Sequence, residues 1–257
     1  MVGRRRRIAA TVVAVSCLLT MASAVLADVA TPRPQWTKVQ LKSETVNIKL
    51  GEDRVDVEAT FHMYNEGKSG KVRMGYPLGV FEEKLNDFKV FVGGKELKNV
   101  KTQSKVTGSG RPMPYGRRPR GAPKDTAAAE PYRFDGPYKE WKVFDVSMGG
   151  TERTTVKVTY WVKPAKIVGA EKRPLLHYTY TLRTGATWKG KIEQAVIAVK
   201  LDGVDRKRIV RKVPVGSVAD KTGKTLTWTM RDFKPVDNIE ITYRPAKAVT
   251  TAMRVEK

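Results

Sequence analysis

Cysteine and histidine are nearly absent from this chain, and their scarcity removes much of the common catalytic repertoire. There is one cysteine, Cys17, and there are two histidines, His62 and His177. Cys17 lies inside an N-terminal apolar run, so a chain that has lost that run carries no thiol. Disulfides, thiolate nucleophiles and cysteine metal sites are then excluded. A serine triad needs a histidine near its serine, and no G-x-S-x-G turn surrounds any serine. The histidines fall in separate strand-like segments, where a lone histidine reads as a structural or surface group, and two distant histidines make a poor zinc site. No D-x-D-x-D-G calcium loop occurs. Gly67-Lys68-Ser69-Gly70-Lys71 lacks the G-x-x-x-x-G-K-[ST] spacing of a phosphate loop and reads as a hairpin turn. No metal and no cofactor is expected.

Acidic residues are also in short supply. Lys and Arg number 49 against 26 Asp and Glu, a formal charge of +23. An excess of this size bears on partners rather than fold and favours anionic polymers, phospholipid head groups or nucleic acid. Past residue 27 no apolar run is long enough to cross a bilayer, so no transmembrane segment is expected after processing.

The N-terminus has its own signature. Arg4 to Arg7 precede an uncharged apolar run from Ile8 to Ala27. The run ends in Ala22-Ser23-Ala24 and Val25-Leu26-Ala27, two small-residue cleavage sites. This is the pattern of a secretory signal peptide over residues 1–27, the alternative being an uncleaved anchor. The expected location is secreted, periplasmic or extracellular, at the cell envelope.

Alternation governs the rest. In 54–65, Val55, Val57, Ala59, Phe61 and Met63 fall on one face and Asp56, Glu58, Thr60, His62 and Tyr64 on the other, which predicts a half-buried strand. The pattern returns in 154–163 and 193–201. Further strands are predicted at 37–41, 45–50, 71–76, 88–92, 141–147, 176–182, 208–213, 226–230 and 239–243, with one helical turn possible at 80–86. Turn residues separate them, and Gly93-Gly94 is the clearest two-residue hairpin signal. Helical periodicity is not sustained anywhere, so the chain reads as all-β.

One stretch departs from this. Residues 107–131 hold five prolines, four glycines and four arginines. Such a stretch reads as a mobile loop or a linker. The expected organisation is a signal peptide (1–27), a first β-sandwich-like module (28–106), a basic Pro/Gly/Arg-rich loop (107–131), a second module (132–245) and a tail (246–257).

Several segments carry a family resemblance. The run from Val55 through Phe61 to Asn65, then Gly75-Tyr76-Pro77 and Asp87-Phe88-x-Val90, is followed by Tyr180-x-Leu182-x-Thr184-Gly185-x-x-Trp188-x-Gly190-x-Ile192. Together they resemble exported bacterial proteins grouped under a domain of unknown function. The resemblance implies export and an all-β architecture. It assigns no catalytic residue.

Two constellations remain as binding candidates. Lys101 to Lys124 contains no acid, and Arg111, Arg117, Arg118, Arg120 and Lys124 could clasp phosphate or carboxylate groups, with Arg206, Lys207 and Arg208 as a second basic cluster. The aromatics Trp161, Trp188 and Tyr178 could form a flat platform for sugars or bases, or could pack in the core. Carboxylate pairs such as Glu82-Glu83 with Asp87, or Asp135 with Glu140, read as solvated surface more than as a glycosidase pair. The leading expectation is therefore an exported, non-enzymatic binding or structural protein contacting an anionic envelope polymer or lipid surface, and possibly a protein partner. A carbohydrate-binding or carbohydrate-cleaving domain is the alternative, and extracellular nucleic-acid binding the third.

Overall fold

The computed structural model describes residues 38–78, 84–104, 140–169 and 173–246. In chain order their strands are β1 (Val39–Leu50), β2 (Val55–Asn65), β3 (Gly70–Leu78), β4 (Asn86–Val92), β5 (Lys95–Glu96), β6 (Lys101–Ser104), β7 (Glu140–Met148), β8 (Glu152–Val162), β9 (Ala165–Val168), β10 (Pro174–Tyr180), β11 (Ile192–Leu201), β12 (Ile209–Val213), β13 (Val218–Ala219), β14 (Thr225–Phe233) and β15 (Ile239–Tyr243). Two short 3-10 turns, Arg183–Thr187 and Arg206–Arg208, are the only helical pieces among the described residues. The all-β reading of the sequence holds.

Eight strands form one sheet in the order β13-β14-β11-β1-β2-β8-β4-β5. Alternation gives it two unlike faces. Val46, Ile48, Val57, Phe61, Val158 and Ile197 point to one side and are buried, whereas Asn47, Lys49 and Lys200 point to the other and are exposed. Two smaller sheets, β3-β7-β6 and β12-β15-β10-β9, close the apolar side. Tyr76 of β3 packs edge-on against Tyr160 of β8 at 5.3 Å, and Tyr243 of β15 donates a hydrogen bond to Gly51 O at 2.6 Å. The result is a wide sandwich with a single core cluster.

The two expected modules are not separate sandwiches. Strand β1 pairs in parallel with β11, Ser43 opposite Gln194 through Leu50 opposite Leu201, so the first and last thirds of the chain share one sheet. Strands β6 and β7, which flank the Pro/Gly/Arg-rich stretch, pair with each other, Lys101 opposite Val143. That stretch therefore interrupts one sheet instead of dividing two. Its linker-like composition does not tell where its two ends lie. The signal segment 1–27, the basic residues Arg111, Arg117, Arg118, Arg120 and Lys124, the acids Glu82, Glu83 and Asp135, and most of the proposed turn at 80–86 lie outside the described residues.

Two local readings also change. The strands predicted at 37–41 and 45–50 are one strand, β1, with a bulge between Leu41 and Ser43. The bulge shifts the alternation by one residue, which turns the Glu44 side chain inward and breaks the period that the sequence reading followed. Residues 66–69 are not a hairpin, because the chain leaves the large sheet at Asn65 and enters the small sheet at Gly70; it returns by the crossing at Gly149-Gly150. Asn65 ties the two crossings together. Its amide donates to Lys68 O (2.9 Å) and Gly149 O (2.8 Å), and its Oδ1 accepts from Gly67 N (2.9 Å). Gly93-Gly94 does form the predicted tight hairpin, both residues at positive φ (55° and 82°).

Candidate functional site

The open face of the large sheet brings charged, polar and aromatic side chains together in a concavity. Strand register fixes its rows. Asn47 lies opposite Glu58 and Ala198, Glu58 opposite Thr159, and Thr159 opposite Lys89. The next row runs Thr225, Lys200, Lys49, Asp56, Trp161, Asn86. Adjacent strands stand about 4.8 Å apart, so the row from β11 to β4 spans about 19 Å. All of these residues except Asn86 line an open groove of about 570 Å³.

Trp161 is the groove's fixed aromatic. Its indole Nε1–H donates to Asp87 Oδ2 at 2.8 Å, and the Arg54 guanidinium lies 4.7 Å from the ring centre. Arg54 is held in turn by Asp56, Nη2 to Oδ1 at 2.6 Å. Asp87 sits at a register irregularity in β4 with φ of +50°. Aspartate tolerates this left-handed conformation better than most residues, and the conformation here accompanies a carboxylate placed on the indole. The charges are mixed. Lys157 pairs with Glu58 at 3.3 Å and Lys49 with Asp202 at 3.1 Å, whereas Lys89 and Lys200 make no ion pair among the described residues. Threonine hydroxyls at 159 and 225 complete the lining. The arrangement offers a ring, ammonium groups and hydroxyls across two adjacent rows. It brings no histidine to the carboxylates.

The other sequence candidates separate. Tyr178 and Trp188 are 1% and 2% exposed and belong to the core, so of the three platform aromatics only Trp161 reaches the surface. The reason is visible in the Tyr180-to-Ile192 motif, which builds the corner from β10 to β11. Tyr180, Leu182, Trp188 and Ile192 are buried, Thr187 Oγ1 donates to Thr184 O, and Gly190 takes a positive φ of 70°. The Tyr180-to-Ile192 motif is thus spent on packing. Arg208 is also structural: it pairs with Glu52 and donates to Gly203 O at 2.7 Å and Arg244 O at 3.2 Å. Burial pushes the Glu52 carboxyl up, but the bonds from Arg208 and Ala246 N outweigh it and hold it below the usual range. Arg206 and Lys207 remain exposed.

Two titratable groups lie inside the protein. The Glu44 carboxyl is pushed up to about 7 by burial, against the 2.6 Å hydrogen bond from Tyr180 OH, and its Oε2 has no partner among the described residues. His177 is held down to about 4, by burial first and by the Arg211 charge second. Its ring nitrogens meet Thr242 Oγ1 (3.0 Å) and Thr179 Oγ1 (2.9 Å). His62, on the open face, lies 3.1 Å from Thr155 Oγ1. Neither histidine adjoins the groove's acids. Among the described residues no group of three or more metal-ligating side chains occurs, and no helix is long and apolar enough to cross a membrane.

No family model matches the chain, and no curated protein matches it. Solved structures do. A candidate nutrient binding protein from Legionella pneumophila is 12% identical, with a TM-score of 0.58 over 85% of this chain and 71% of that one. An M1 zinc metallopeptidase from Deinococcus radiodurans is 9% identical, with a TM-score of 0.38 over 80% of this chain and 42% of that one. Yeast LTA4 hydrolase is 9% identical, with a TM-score of 0.40 over 79% of this chain and 28% of that one. The Legionella protein shares the fold; at these identities and scores the likeness extends no further.

Proposed function

We propose that this is an exported, non-enzymatic binding protein of the cell envelope whose ligand is an acidic, hydroxyl-rich polymer laid across the open face of the large sheet. The observation that carries the reading is Trp161, locked by Asp87 and Arg54 at the floor of a groove that also presents the unpaired ammonium groups of Lys89 and Lys200. A ring packs on the apolar face of a sugar, while ammonium groups meet carboxylate or phosphate substituents. Binding is favoured over catalysis because the groove carboxylates already serve Arg54, Lys157 and the indole, and the nearest buried acid, Glu44, faces the core. The basic surplus of the chain would raise the local concentration of such a polymer.

Affinity electrophoresis and titration calorimetry with polygalacturonate and with neutral dextran test this. The parent should be retarded by polygalacturonate, less so as salt is added, and hardly by dextran. Trp161→Ala should weaken binding about tenfold, and the double variant Lys89→Gln/Lys200→Gln should reduce the salt dependence. Equal retardation of the Trp161→Ala variant would remove the groove from the mechanism.

A further inference from the structure

The described residues leave five large hydrophobic side chains strongly exposed, and three of them, Val210, Val215 and Val218, fall within nine residues of chain. Val215 is 87% exposed, Val218 71% and Val210 42%. This segment carries the chain from β12, on the edge of the four-stranded sheet, to β13, on the edge of the large one. The three valines therefore run around one rim of the sandwich. Val210 occupies the irregularity in β12, Val215 the turn between sheets, and Val218 the edge position opposite Thr227.

The turn is braced. The Trp228 indole N–H donates to Pro214 O at 2.8 Å, and Lys212 Nζ donates to Ser217 Oγ at 2.6 Å. Gly216, at φ +98°, has open space where a Cβ would stand. Nothing in this bracing requires valine at 215 or 218, and exposure of two β-branched apolar residues on a fixed turn is unfavourable in water.

Cations are frequent in the same stretch of chain. Arg206, Lys207, Arg211 and Lys221 are exposed within the same stretch, and among the described residues only Arg211 of these makes an ion pair, with Glu240 at 3.4 Å. The two acids of the stretch are turned to the backbone: Asp205 accepts from Lys207 N, and Asp220 accepts from Lys224 N and Thr222. The rim thus presents exposed apolar side chains and exposed cations in one stretch of chain.

We infer that this rim is a docking surface for an anionic lipid bilayer, with Val215 and Val218 entering the acyl boundary and Arg206, Lys207 and Lys221 meeting the head-group phosphates. A soluble polyanion would need only the cations. A membrane uses both parts, because weak apolar insertion and basic charge together hold a peripheral protein where either alone is marginal. The groove around Trp161 lies on other strands, so both sites can be occupied at once.

Vesicle co-sedimentation of the chain as purified from its producing cells tests the inference. Vesicles of phosphatidylglycerol and phosphatidylcholine should retain the parent at low salt, and pure phosphatidylcholine vesicles should not. Val215→Ser/Val218→Ser should weaken retention about fivefold, and Arg206→Gln/Lys207→Gln about tenfold. Val236→Ser, an exposed valine elsewhere, should change nothing. Thermal midpoints should stay near the parent's, since all four side chains are exposed. Tryptophan at position 215 (Val215→Trp) should shift its fluorescence to the blue on adding the anionic vesicles. Failure of the parent to sediment would overturn the inference. So would undiminished retention of Val215→Ser/Val218→Ser with no blue shift; if long-chain polyphosphate also binds that variant as tightly as the parent, the rim is a polyanion site and not a membrane one.

Discussion

The two faces of the eight-stranded sheet come from the same strands and alternate residue by residue, yet they obey different rules. The closed face is apolar wherever β1, β2, β8 and β11 cross, and its one carboxyl, Glu44, gets there through a bulge. The open face carries Lys49, Asp56, Glu58, Lys89 and Lys200 around one indole. Folding accounts for the first pattern, since burying aliphatic area drives collapse. It does not account for the second. A solvated sheet face is satisfied by scattered polar residues and needs no tryptophan fixed by an aspartate at positive φ. The comparison teaches that stability is written on one side of these strands and the proposed binding site on the other, and substitutions should separate them.

The largest effect should come from exchanging the two tryptophans' roles as targets. Trp188 is 2% exposed in the core cluster, so Trp188→Ala should cost about 3–5 kcal/mol through lost burial and a cavity. Trp161→Ala should cost about 1 kcal/mol or less in stability while weakening polymer binding about tenfold. Urea unfolding of both variants, beside a binding assay, checks the separation. A stability loss for Trp161→Ala as large as that for Trp188→Ala would mean that the open face is part of the folding core.

The next effect is pH dependence, dominated by two groups of the interior. Glu44 is raised to about 7 from 4.5, so the native state holds its proton where the unfolded chain has lost it. That stabilisation is complete below about pH 4.5 and is lost as pH rises through about 7. His177 is lowered to about 4 from 6.5, so the unfolded chain binds the extra proton. Its contribution is present above about pH 6.5 and is lost as pH falls through about 4. Each is on the order of 3 kcal/mol at full extent, and they oppose each other between about pH 4.5 and 6.5. The parent's unfolding free energy should therefore be nearly flat there. Glu44→Gln should unmask a rise with pH across that window, and His177→Gln a fall continuing to about pH 7. A flat profile for both variants would show that neither group is shifted.

Asn65 gives a smaller effect at the rim where the closed face ends. Its side chain supports two sheet crossings with three hydrogen bonds, and it is 5% exposed. Asn65→Ala should cost about 2 kcal/mol, because Lys68 O, Gly149 O and Gly67 N all lose a partner. Polymer binding should persist, since the groove lies on other residues.

How much of this was legible follows from what each feature depends on. The half-buried strands at 55–65 and 152–162 were legible because period two is a local property of the sequence. The Gly93-Gly94 hairpin was legible because two adjacent glycines at positive φ leave few alternatives. The division into modules was misread because pairing of β1 with β11 joins residues about 150 apart, and nothing local encodes it. The continuity of β1 was hidden by its bulge. Trp161 was placed on the polar side of its strand from alternation alone, but its partners Arg54, Asp56, Asp87, Lys89 and Lys200 converge only through register across five strands. Tyr178 and Trp188 looked equivalent to Trp161 because an aromatic in a strand carries no mark of which sheet will cover it.

The smallest test leaves both faces untouched and asks whether backbone geometry at the sheet's edge matters by itself. Gly94 stands at φ +82° in the β4–β5 turn, and no atom lies within 4 Å of where its Cβ would be. Gly94→Ala therefore creates no clash with neighbours and loses no contact. What it does is place an L side chain in the left-handed region, at a cost of about 1 kcal/mol, partly offset because alanine narrows the unfolded ensemble. Gly94→Asn should cost less, since asparagine tolerates that region better. Lys89 is on the same strand, β4, one strand in from the sheet's end, so a fraying hairpin would loosen one of the groove's cations. Thermal unfolding should show a drop of a few degrees for Gly94→Ala, with polymer affinity unchanged. If affinity falls in step with stability, the open face borrows its order from the edge, and the two faces are less independent than their alternation implies.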